Sequence, residues 1–325
     1  MFKDFDRLQA RFRQFGGWRL VREYARMGVL WAGVAALVRC IVHGQSLKKA
    51  YPAITKRVDE ILIEQYKDVL DKALIPVEKE AAMKPNIIWT TWLQGEDKAP
   101  ELMKACWTSI RKHLPEYELR IVTLKNIGKW CELPDYIFEK YKKGFIPPAL
   151  FSDVMRLDLL VRHGGTWIDG TVLCTGFPTE RLQKRWKAIE ASELCLFRYY
   201  QRGRKEPVGM STWFISARPG NAVLATARDM MLAYWRDYDC AVDYYLPHLC
   251  IGAALQRRSD LIAAMPRCNS THSTMLGGAL GRDFDEAAWK DLTEHVAFHK
   301  LNFRKADEAA QNPHSYYNRI INSRQ

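Results

Sequence analysis

The stretch FSDVMRLDLLVRHGGTWIDGT, residues 151–171, decides how this chain folds. It follows Pro147 and Pro148, and Leu150, Val154, Leu157 and Leu160 recur at helical spacing, which predicts a helix that opens on proline and turns one apolar face to a sheet. Gly164 and Gly165 stop that helix, and a left-handed cap is the expected conformation there. TWID then reads as a short buried strand that ends on Asp169, before Gly170 and Thr171. A helix that runs at once into an apolar strand is one step of an alternating α/β pattern.

The flanks supply the other steps. NIIWTTWL (86–93) is β-branched and aromatic and reads as a buried strand. KAPELMKACWTSIRKHL (98–114) reads as a helix with Pro100 at its first position and Leu102, Cys106, Ser109, Ile110 and His113 on one face. LRIVTL (119–124) is a second strand, so strand, helix and strand form a βαβ unit with parallel pairing. Downstream, TWFISA (212–217) predicts a strand and NAVLATARDMMLAYWRDY (221–238) a long helix. VDEILIEQYKDVLDKAL (58–74) repeats apolar residues with helical period, and composition changes at 78–85. The expected organisation is a helical, basic and aromatic region over residues 1–80 and an α/β domain over 84–325.

The formal net charge of +12 favours an anionic partner. Basic residues are interspersed with acidic ones and no nucleic-acid-binding module is recognisable, so nucleic acid is not expected as the partner. The eight cysteines are scattered without CxxC pairs or zinc-ligand spacing, which reads as reduced, buried thiols in a cytosolic protein. Near the N-terminus, Phe2, Phe5, Leu8, Phe12 and Phe15 alternate with Lys3, Arg7, Arg11, Arg13, Arg19, Arg22 and Arg26, the pattern of an interfacial membrane helix. Acidic Asp4 and Asp6 and the want of a cleavage site argue against a signal peptide. The apolar run MGVLWAGVAALV (27–38) falls short of the roughly 20 residues that span a bilayer. Peripheral membrane contact through residues 1–45 and a helical hairpin packed on the main domain both remain open readings.

In open α/β sheets, ligands gather at the carboxyl ends of the strands, where Asp169 is expected. Its carboxylate beside Gly170 and a small hydroxyl suits a divalent cation or a ribose, although DGT read alone is first a turn signal. Asp153 and Arg156 share a helix face, either as a surface pair or as a clamp on sugar hydroxyls and a phosphate. In DYYLPH (243–248), Asp243 and His248 are candidates for acceptor activation, against helix capping and a core histidine as the plainer roles. Trp213 suits a sugar platform or the core.

Taken together, FSDVMRLDLLVRHGGTWIDGTV resembles the signature of the capsular polysaccharide synthesis family, among the sugar transferases with a DXD motif and a GT-A fold. IIWTTWLQG and APELMKACWTSI upstream, with STWFISARPGN, AYWRDYDCAVDYYLPH and HKL (299–301) downstream, extend the likeness over about residues 84–302. The resemblance implies a mostly parallel, Rossmann-like GT-A domain, a nucleotide-sugar donor with UDP as the expected base, Mn²⁺ or Mg²⁺, and transfer with retention. It assigns Trp92 to stacking on the donor base, Asp153 and Arg156 to sugar and ribose, and Asp169 to the first DXD carboxylate and to catalysis. Asp243 joins Asp169 as a catalytic candidate facing the donor sugar. His299 is the expected second metal ligand, and Lys300 the counter-charge for the departing diphosphate. Thr171 stands where the second DXD aspartate belongs, which bears directly on metal coordination. The expected acceptor is a polysaccharide or lipid-linked glycan, met in the cytoplasm or at the cytosolic face of the inner membrane. The alternative is a catalytically weak nucleotide-sugar binder in a polysaccharide assembly.

Overall fold

The computed structural model describes residues 16–74, 83–200 and 208–322. The strands are β1 (Ile87–Thr91), β2 (Glu118–Val122), β3 (Gly165–Ile168), β4 (Val172–Cys174), β5 (Leu194–Arg198), β6 (Met210–Ala217) and β7 (Phe298–Lys300). The longer helices are α1 (Trp18–Met27), α2 (Leu30–Val42), α3 (Tyr51–Gln65), α4 (Glu101–His113), α5 (Asp135–Lys142), α6 (Pro148–His163), α7 (Glu180–Ala191), α8 (Ala222–Asp237), α9 (Leu246–Gln256) and α10 (Glu286–His295).

Five strands make the central sheet in the order β2-β1-β3-β6-β5. β1 pairs in parallel with both β2 and β3, as the βαβ reading requires. β6 runs antiparallel to β3 and to β5, so β1, β2, β3 and β5 point one way and β6 alone runs against them. β5 does not follow from the sequence pattern: LCLFR is only five residues long and has no polar–apolar alternation to mark it as a strand. β4 and β7 form a separate antiparallel pair beyond the end of β3.

α6 is buried nearly all round because it is covered on both sides. Leu150, Phe151, Val154, Met155, Leu157, Leu159 and Leu160 are all buried, where the sequence indicated a single sheet-facing stripe. α6 ends on Gly164, whose N–H reaches the Leu160 carbonyl at 2.9 Å. The cap is not left-handed helical as expected: Gly164 has φ 66° and ψ −159°, a region that only glycine occupies readily. Gly165 follows at φ 93°, and a Cβ there would lie 2.6 Å from the Ile87 carbonyl oxygen of β1. The glycine pair thus lets α6 turn straight into β3 while β3 stays in register with β1.

The helices before the sheet join the same core. Ile54, Val58 and Leu62 of α3 cluster with Trp89, Leu150, Phe151, Val223 and Leu249. Polar bonds add to this packing: the Tyr24 hydroxyl donates to the Val242 carbonyl at 3.0 Å and Arg26 to the Asp237 carbonyl at 3.0 Å. Of the basic aromatic N-terminal pattern, residues 1–15 lie outside the described residues, as does most of the expected boundary at 78–85. All eight cysteines are buried and free, which agrees with their reading as thiols.

Candidate active site

The carboxyl ends of β1 and β3 and the amino end of β6 meet at one edge of the sheet. Asp169 leaves β3 there, its N–H bonded to the Trp213 carbonyl at 2.9 Å, and its own carbonyl accepts from Val172 at 3.0 Å to close the DGT turn. The turn and the functional reading are therefore compatible: the same backbone bonds that make the turn hold the carboxylate at the edge.

Three cationic or N–H groups converge on that carboxylate. Oδ1 accepts from Arg156 Nη2 at 3.0 Å and from Trp167 Nε1 at 2.9 Å. Oδ2 faces Lys300 Nζ at 3.0 Å, and the same ammonium donates to Thr171 Oγ1 at 2.6 Å. Arg156 is buried, bonded through Nη1 to Asp153 Oδ1 at 2.9 Å and to the Thr212 carbonyl at 2.6 Å, and it lies 4.6 Å over the Trp167 ring. Asp153 and Arg156 are thus no surface pair. Arg156 Nε is buried without a partner among the described residues.

Electrostatics separates the two aspartates. Burial alone would raise Asp169, but Lys300 and Arg156, with the Trp167 hydrogen bond, hold its carboxyl down at about 2. Burial pushes Asp153 up to about 6; Arg156 opposes the rise and Asp169 adds to it. At neutral pH, Asp169 is a fixed anion and Asp153 lies near its titration point.

Trp92 follows β1 at the same edge, with its indole N–H on the Lys98 carbonyl at 3.1 Å and its ring edge-on to Phe303 at 6.2 Å. Tyr244 is half exposed; burial of the remainder and the charges of Asp153, Asp169 and Arg304 all act on its phenol, whose net shift is upward. Tyr244, Phe303 and Arg304 were not singled out from sequence as site residues. The run HKLNFRK carried a signal, because Arg304 falls four residues beyond Lys300 in a segment already rich in cations.

Two expected site residues point elsewhere. Asp243 accepts from the Thr55 hydroxyl of α3 and, at 2.7 Å, from the Tyr245 N–H, so its described hydrogen bonds run toward the N-terminal helices and its own turn. His299 is fully buried on β7, where side chains alternate, and so faces away from Lys300. Its Nε2 lies 3.1 Å from Thr175 Oγ1, and burial pushes the imidazole down to about 4. Trp213 is buried between Phe197 and Phe214 and bonds Ser270, a core position rather than a platform.

The atoms expected to hold a cation are engaged by other partners in this structure. Both Asp169 oxygens already accept from cations or an N–H, the Thr171 hydroxyl takes a lysine proton, and His299 faces the other side of its strand. Among the described residues no group of three or more His, Cys, Asp or Glu side chains could enclose a metal ion.

The molecule is a mixed α/β protein with a mostly parallel five-stranded sheet and a buried, charge-dense cluster at the carboxyl edge of that sheet. A family model described as capsular polysaccharide synthesis protein matches residues 39–320, and the chain belongs to that family. The solved structure of PaToxG glycosyltransferase is similar at 12% identity and TM-score 0.40, over 82% of this chain and 96% of that one. A likeness of that degree fixes neither fold nor activity. No curated protein matches the sequence.

Proposed function

We propose that the protein is a glycosyltransferase of GT-A type that moves a sugar from a nucleotide-sugar donor to a glycan or lipid-linked glycan acceptor, with retention as the resemblance implies. The observation that carries this reading is the Lys300–Asp169–Arg156 cluster at the carboxyl edge of the sheet. Transfer breaks the bond between the anomeric carbon and the diphosphate oxygen and leaves new negative charge on the diphosphate. That charge needs a preorganised cation close by. Lys300 is held at the edge by Asp169 and Thr171 and is a quarter exposed, so it can turn from the carboxylate to an entering diphosphate. Asp169, ionised throughout the physiological range, holds the Arg156 and Lys300 side chains at the edge.

In this reading, Trp92 and Phe303 offer an aromatic edge for the base, UDP being the expected donor nucleotide, and Asp153 meets sugar hydroxyls. Asp243 positions the turn that carries Tyr244 and does not itself touch the sugar. In the ligand-free arrangement Lys300 and Arg156 stand closest to the Asp169 carboxylate and supply counter-charge there; Lys300 turning to the diphosphate would free Asp169 Oδ2 and Thr171 Oγ1, the atoms that would hold Mn²⁺ or Mg²⁺.

A second reading, a nucleotide-sugar binder without turnover, is favoured by Thr171 at the second DXD position. One experiment separates the two. Thermal stabilisation by UDP-, GDP-, CMP- and dTDP-sugars, with Mn²⁺ or with EDTA, is paired with release of free nucleotide. The expected result is a shift with one nucleotide class that persists in EDTA, and turnover that falls about a hundredfold in Lys300→Ala. Binding without nucleotide release, with every acceptor tried, supports the binder; no shift with any nucleotide sinks both.

A second basis for place of action is α2. Trp31, Val34, Val38, Ile41 and Val42 are exposed and fall on one face of that helix, and Trp18 at the start of α1 is exposed as well. No single helix among the described residues is long and apolar enough to cross a membrane. This face supports peripheral attachment at the cytosolic surface, with the basic chain drawn to anionic lipid.

A further inference from the structure

Beyond the Asp169 cluster, the same edge of the sheet carries a second concave site. A cavity of about 310 Å³ lies where α7, the end of β5, the 267–272 segment and the end of α10 meet. Its charged lining is Arg181, Arg185 and Arg267, with the imidazoles of His272 and His295 beside them and no carboxylate. Arg185 and Arg267 form no ion pair among the described residues, whereas Arg156, Arg162 and Arg228 are each paired. A volume near 300 Å³ is at the lower end for small-ligand pockets, room for about one sugar unit.

Next to it, an apolar hollow shares Arg185, His272 and His295 and is floored by Trp186, Phe177 and Phe298. The Trp186 and Phe177 rings stack at 5.4 Å. Three buried polar atoms in these two linings have no partner among the described residues: Trp186 Nε1, Ser273 Oγ and the Tyr200 hydroxyl. Buried donors without partners are uncommon and call for a ligand or an equivalent explanation. Tyr200 is also flanked by the Arg267 guanidinium at 5.1 Å and that of Arg198 at 5.3 Å.

The two sites are joined through one residue. Trp213 accepts from the Asp169 N–H by its carbonyl, and its indole donates to Ser270 Oγ at 3.1 Å, in the segment that bears Asn269 and His272. β5 and β3 point the same way, so both sites open on the carboxyl edge.

We infer that this pocket binds an anionic sugar unit of the acceptor glycan, one bearing a carboxylate or a phosphate, and so presents a growing acidic chain to the Asp169 site. The inference rests on the transferase reading for the word acceptor, but not for the pocket itself. Arginine forks suit either anionic group, and aromatic floors suit sugar faces.

The test is titration calorimetry of the full chain with trigalacturonate, tri(glycerol phosphate), maltotriose and inorganic phosphate, each with the wild type and the double variant R185A/R267A. Both arginines lie outside the core, and UDP-sugar stabilisation serves as the check that the double variant is folded. Binding of one acidic trimer is expected, weakened at least about tenfold by the double substitution and by added salt, with maltotriose much weaker. Whichever acidic trimer binds names the anionic group. Equal affinity in the double variant, equal binding of maltotriose, inorganic phosphate as tight as the trimers, or no binding of either trimer overturns the inference. Trimer binding with no nucleotide response would leave the pocket standing and sink the donor site instead.

Discussion

His299 shows what burial does to one titratable group. Its imidazole is fully buried with Nε2 3.1 Å from the Thr175 hydroxyl, and burial pushes it down to about 4 against a smaller opposing effect of the Val296 backbone. A depressed base favours the fold while neutral, so its contribution is complete above about 6.5 and is lost as pH falls toward 4. His299→Gln should therefore cost the most at pH 7.5 and progressively less toward pH 4.5, the gap narrowing by about 2 kcal/mol. Thermal melts of both proteins at the two pH values measure it. A gap that stays constant with pH would show the imidazole to be free to charge in the fold. Asp153 titrates the other way in the same window, which is why the comparison with the variant, not the wild-type curve alone, isolates the histidine. That Asp153, Arg156 and Asp169 meet was legible because their motif is local; the inward turn of His299 was not, because one residue's register in a three-residue strand sets it.

At the scale of elements, the junction of α6 and β3 carries the site. Gly165 has φ 93° and would press a Cβ against the Ile87 carbonyl oxygen at 2.6 Å. Gly165→Ala should lower stability by about 1–3 kcal/mol, read as a fall in the urea midpoint, and should also reduce donor binding because β3 carries Asp169 at its end. Unchanged stability would mean that β1 and β3 slide apart at little cost. The helix, the glycine stop and the strand could all be read from residues 151–171. The opposite run of β6 and the existence of β5 could not, since strand direction is decided by long-range pairing and not by the pattern within a strand.

At the scale of the whole molecule, α1 to α3 pack onto the α8 and α9 side, and α2 leaves a single apolar face outward. Arg22 and Arg26 of α1, expected at a lipid surface, pair with Glu23, Asp239 and the Asp237 carbonyl instead. The proposed lipid contact therefore rests on the exposed face of α2. The double variant W31E/V38E should lose at least about tenfold in sedimentation with phosphatidylglycerol vesicles while keeping nucleotide-sugar binding. Binding that survives the substitutions would assign the face to another occupant, and a dimer seen without lipid would name a second copy. By itself the sequence determined the alternation of helices and strands, the glycine-terminated helix, the family likeness and the local Asp153–Arg156–Asp169 set. Each of these depends on side-chain periodicity or short spacing, which the order of residues contains directly. Only the tertiary structure decided that Lys300 and Thr171 share one hydrogen bond, that Asp243 and His299 turn away from Asp169, and that five basic side chains from three separate segments line one pocket. Those are meetings of distant segments, and they are set by how the chain closes its core.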